Sequence, residues 1–144
     1  MEDTLLKRLH DGIREEIEHY EQLLDLTTRE HEILAEETYT TELATLAATK
    51  LRVMRDINDL SMRIGPLKVR WKLEASRVKA SGDGKEIPPL LDTLGSLLGR
   101  ILDVDEENQR ILARLVRSNE TDEANRKLNA ASAEQAYSRT SSNG

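Results

Sequence analysis

A chain of 144 residues with net charge −6, no cysteine, no phenylalanine and one tryptophan excludes a good deal. Its size suits one domain, and no disulfide, thiolate metal site or cysteine nucleophile can form. Its charge opposes a phosphate backbone, so nucleic acid is not an expected partner. Aliphatic side chains beside 33% charged residues suit long helices laid side by side better than an aromatic-packed globule.

The first element spans residues 2 to about 36. Leu6, Leu9, Ile13, Ile17, Tyr20, Leu24, Thr27, His31 and Leu34 recur in steps of three and four. A neighbouring stripe adds Leu5, Leu23, Leu26, Glu30 and Ile33, and charges fill the opposite face. At about 1.5 Å per residue such a helix extends roughly 50 Å, too long to be stable in water without an equally long neighbour. Thr38 to Thr41 are poor helix-interior residues, and Thr40 or Thr41 can cap a new start. From about 41 a second helix carries Leu43, Leu46, Lys50, Val53, Ile57, Leu60 and Ile64 as far as Gly65-Pro66, where proline ends or kinks it. Leu67, Trp71, Ala75 and Val78 extend it to about 79, as a kinked continuation. The two segments are expected to form an antiparallel hairpin.

Ser81-Gly82-Asp83-Gly84 reads as a loop, and Pro88-Pro89 as the first turn of a third helix over about 89–117. Leu90, Leu91, Leu94, Leu97, Leu98, Ile101, Leu102 and Val104, then Ile111, Leu112, Leu115 and Val116, cover two adjoining stripes, wider than one neighbour buries. Gly95 and Gly99 weaken this helix, which points to a close approach or a bend. From Ser118 apolar residues thin to a few Ala, Leu128 and Tyr137, so the polar tail 118–144 is expected to be mobile when free and helical on binding. The fold class is all-α: a three-helix, coiled-coil-like bundle over 1–117 followed by that tail.

Catalytic and metal motifs fail on inspection. Glu16-Ile17-Glu18-His19 matches one Glu-x-x-His element of a di-iron bundle, but the second such element is missing. Asp103-Val104-Asp105-Glu106-Glu107 lacks the Gly and the final Glu of a calcium loop. Gly82-Asp83-Gly84-Lys85 lacks the frame of a phosphate loop. No nucleophile, base and orienting group assemble, so neither catalysis nor a cofactor or metal is expected. The acidic start lacks the basic residues and apolar run of a signal peptide, and the sequon at Asn119 is then idle. No run approaches the ~20 apolar residues of a membrane span. A soluble, cytoplasmic protein is expected.

Polar residues on apolar seams carry more. Lys50 occupies the seam between Leu46 and Val53, and an antiparallel hairpin turning near residue 38 sets Glu30 opposite. A Glu30–Lys50 pair would fix helix register; the alternative is a lysine that snorkels out of a loose seam. Asn108, in the stripe Ile101, Val104, Asn108, Ile111, Leu115, is either a register-setting polar residue or the point where the third helix leaves the hairpin to offer Ile111, Leu112, Leu115 and Val116 to another protein.

At these residues the chain resembles the FlgN family of flagellar export chaperones. The likeness lies in Leu23-Leu24, Glu30 and Leu34 of the first helix. It continues in Leu43, Leu46, Lys50, Met54, Ile57, Leu60 and Arg63 of the second, Glu107-Asn108-Gln109-Arg110-Ile111-Leu112 of the third, and the late Tyr137. It departs where Asp105 stands near a second family Asn and where Ser138 follows Tyr137. The resemblance implies a type III export chaperone of the bacterial cytoplasm. Such a protein holds hook–filament junction proteins by their terminal helical segments and delivers them to the export apparatus. The contacts expected here are Asn108, Ile111, Leu112, Leu115, Val116, Leu128 and Tyr137. A structural coiled-coil adaptor, or a homo-oligomer closing over the same apolar face, is the alternative that the residues leave open.

Overall fold

The computed structural model describes residues 1–36, 41–75 and 82–142, with side chains described as far as Ala131. Within them lie α1 (Asp3–Ala35), α2 (Thr41–Glu74) and α3 (Asp83–Ser142). The expected cap at Thr40, and Val78 and Ser81, lie outside the described residues. Two compact units divide the chain, Met1–Asn108 and Gln109–Gly144.

Ion pairs give the topology of the first unit. Arg29 meets Glu42, Glu30 meets Lys50, Glu16 meets Lys68, and the N-terminal amine meets Glu74, so α1 and α2 run antiparallel. His10 meets Glu86 and His31 meets Asn108, so α3 runs parallel to α1. The aliphatic seams interlock as their spacing requires. Leu9, Ile13 and Ile17 pack with Leu60, Ile64 and Trp71, closed by Ile87, Leu94 and Leu97. A smaller cluster joins Leu23, Val53, Ile57 and Ile101.

Of two sequence expectations, the continuation of the second helix past Pro66 holds and the start of the third does not, each for a local reason. α2 runs through Pro66 unbroken. A mid-helix proline costs about 3 kcal/mol; beyond it, burial of Trp71 and the Lys68–Glu16 pair offset that loss. α3 starts at Asp83 rather than near 89: Gly82 adopts φ +60 and turns the chain, and Asp83 and Glu86 put negative charge in the first turn, where the helix dipole favours it. Pro88 and Pro89 therefore lie inside the helix, where their missing donors leave two ladder bonds unmade.

The glycines also sort differently. A Cβ at Gly95 or Gly99 would meet nothing within 4 Å, so neither marks a close approach. Gly12 does: a Cβ there would stand 2.6 Å from Ile64 Cγ2. At that point the Ile64 side chain of α2 occupies the space that a side chain at residue 12 of α1 would need.

At the opening of α3, buried His10 lies between Asp11, 3.1 Å from Nδ1, and Glu86, on Nε2. Its pKa is raised above the ordinary 6.5, first by the hydrogen bond to Asp11, against the opposing effect of burial, and further by Glu86 and Asp83. A raised folded-state pKa stabilises fully below the unfolded value and loses its contribution as pH rises through the folded value. Thermal stability should therefore be lower at a pH well above 6.5 than at a pH below it, with His10→Gln removing that component. Melting curves of both proteins at the two pH values check this; an identical fall in both would rule it out.

Candidate functional site

From Thr27 onward on α1 the seams turn polar, and the side chains there form a connected layer across three helices. Asn108 of α3 is wholly buried. Its Nδ2 donates to the Thr27 carbonyl at 3.1 Å and to Glu30 Oε1 at 3.3 Å, and its Oδ1 accepts from His31 Nδ1 at 2.9 Å. Glu30 Oε2 accepts from Lys50 Nζ at 3.4 Å, and Asp105 stands 3.7 Å from the same ammonium. Thr27, also wholly buried, turns its hydroxyl back onto the Leu23 carbonyl at 2.7 Å. Each helix contributes a group that only the others satisfy. A one-turn slip of any helix would leave a buried charge or amide unpaired, so the layer fixes register.

The structure thus brings Glu30, Lys50 and Asn108 into one network. With its amide engaged inside that network, Asn108 has no surface to offer a partner, and its geometry is that of the register-setting residue. His31 is half-buried, its Nδ1 on Asn108 and its Nε2 4.0 Å from Glu107.

A second polar node escaped the sequence reading. Glu16 is 1% exposed inside the aliphatic core, held by Lys68 Nζ at 2.5 Å and Ser61 Oγ at 3.1 Å. Its charge, with burial as the larger cause, raises the pKa of the neighbouring Tyr20 hydroxyl. The available signal was Glu16 lying one turn from Ile13 and Tyr20 on the seam; its partner lay beyond Pro66, where the helix was expected to bend.

Among the described residues, His10, Asp83 and Glu86 bring possible ligand atoms within 4.8 Å of one another. Both imidazole nitrogens already face carboxylates, and the two acids of α3 occupy a first turn whose dipole repels cations. The arrangement is that of a histidine held on both ring nitrogens by acids.

The second unit, Gln109–Gly144, continues α3 to Ser142. Within it Ile111 is buried, Leu112 and Leu115 are half-buried, and Val116 and Leu128 are 47% and 67% exposed. Every side chain from Val116 to Ala131 is exposed. Tyr137 lies on helical backbone, its side chain outside the described residues.

The family model of the FlgN protein matches the chain over residues 1–143. The chain belongs to the FlgN family. Searches of curated proteins and of solved structures return no match. FlgN proteins are flagellar export chaperones, and this FlgN-family chain takes that general role, binding flagellar proteins. Among its described residues no helix is long and apolar enough to cross a membrane.

Proposed function

We propose that this FlgN-family chain holds hook–filament junction proteins in the bacterial cytoplasm before export, gripping their terminal helical segments with the second unit. One observation carries the reading: α3 runs far past Asn108 while Val116 and Leu128 stay open to solvent, with Leu112 and Leu115 only half-covered. An amphipathic helix from a junction protein would cover Leu112, Leu115 and Val116 by apolar packing at three- and four-residue steps, with Leu128 a separate contact further along the helix. Tyr137 belongs with them on sequence grounds, as does Ile111, which is buried. The long polar remainder of the helix buries little by itself, so ordering it around a partner moderates affinity and lets the cargo be released to the export apparatus.

Calorimetric titration with the C-terminal segments of junction proteins tests this. Removal of 118–144 should weaken binding at least tenfold while residues 1–117 keep their helical signal and melting transition. Undiminished binding by the shortened chain would refute the assignment. A mass that rises with concentration, together with no affinity for these segments, would favour the structural adaptor.

A further inference from the structure

The outer face of α2 has no role in the core, the polar layer or the proposed grip. Leu51, Met54, Met62, Val69 and Leu73 are each between 50% and 76% exposed. At 3.6 residues per turn they fall within a sector of about 100°, nearly opposite the buried stripe Leu46, Val53, Ile57, Leu60, Ile64 and Trp71. Asn58 and Gly65 fill the two remaining steps, so the spacing is that of a second seam. Single exposed aliphatics are ordinary; five in register over about 33 Å of one helix are not.

The charges beside the seam identify what fits it. Between Leu51 and Leu73 there are six basic and two acidic side chains, in a chain of net charge −6. Arg52, Arg55 and Arg63 border the seam on one side, exposed, and form no ion pair among the described residues. Lys72 borders it on the other. A second copy would set this basic band against itself. The chain's own residues 109–144 carry six basic and four acidic side chains and match the band no better. A membrane surface is disfavoured because interfacial helices lead with aromatics, and here there is no Phe and the one Trp is buried. Two methionines on the seam suit packing against varied side chains instead.

We infer that the outer face of α2 is a second docking surface, and that it takes an amphipathic helix of about six turns from another protein, apolar along one stripe and acidic on its flanks. The surface shares no residue with the grip proposed for the second unit, so a chaperone could hold cargo and dock elsewhere at once.

Fluorescence anisotropy tests this on the full chain. The probe is a labelled helical peptide of about 21 residues with Leu at three- and four-residue steps and Glu on both flanks, set against a counterpart carrying Lys in place of Glu. The acidic peptide should bind at least tenfold tighter than the basic one. Met62→Glu, and separately Arg55→Glu with Arg63→Glu, should each weaken it at least tenfold, with melting curves unchanged because these side chains are exposed. Equal affinity for the two peptides, or full binding by Met62→Glu, would overturn the inference. So would dimerisation of the full chain, or binding to phosphatidylglycerol vesicles, that Met62→Glu abolishes while the acidic peptide stays unbound.

Discussion

Lys50→Met should lower stability by about 3 kcal/mol, roughly 10 °C in melting temperature, although it replaces a charge by an apolar side chain of similar length. The reason lies with the partner. Glu30 is 9% exposed, and its carboxylate faces Lys50 Nζ at 3.4 Å. Removing the ammonium leaves a buried charge whose remaining donor is Asn108 Nδ2 at 3.3 Å. Breaking a buried pair costs about 3–5 kcal/mol; the surviving Asn108 bond places this site at the lower end. Glu30→Gln in the Lys50→Met background should recover at least half of the loss, because the neutral amide keeps the bond to Asn108 and no longer needs a counter-ion. Thermal or urea melts of the four proteins close the cycle. Additive effects of the two changes would mean that Lys50 merely snorkels past Glu30 and that register is set elsewhere.

Gly12→Val should cost about 3 kcal/mol, with Gly12→Ala costing less but still destabilising. On helix propensity alone, alanine would gain about 1 kcal/mol over glycine. Packing decides the opposite sign. The added carbon would lie 2.6 Å from Ile64 Cγ2, on a β-branched core side chain that cannot swing its end away, so the two helices must part. Gly95→Ala is the control: it meets open space, and should raise stability by up to ~1 kcal/mol. If Gly12→Ala proved as stabilising as Gly95→Ala, the tight crossing of α1 and α2 would be wrong.

Set beside these sites, the sequence was most legible where one residue type repeats. Leu9, Ile13 and Ile17, and Val53, Ile57, Leu60 and Ile64, declare helices and their buried faces, because burial demands apolar side chains at the helical period whatever packs against them. Lys50 and Asn108 stand out for the same reason: each breaks a seam. The partners were harder to read. Glu30 could be placed opposite Lys50 by counting back from the turn, whereas Lys68, Glu16's partner, lay past a proline whose effect depended on what the helix buried beyond it. The exposed seam of α2 went unread beside the longer buried one, since periodicity alone does not say which of two stripes faces inward.

By itself the sequence determined an all-helical chain, the antiparallel hairpin, the polar interruptions at Glu30, Lys50 and Asn108, and a likeness to the FlgN family, because period, charge and the order of elements are properties of the linear chain. Only the tertiary structure decided that α2 passes through Pro66 and that α3 begins at Asp83. It also decided that Gly12 rather than Gly95 or Gly99 is the close crossing, and that Asn108 is turned into the layer with Glu30 and His31. Those outcomes depend on distances between residues far apart in the chain, where a proline's lost bond or a glycine's missing carbon is weighed against what a neighbouring helix supplies.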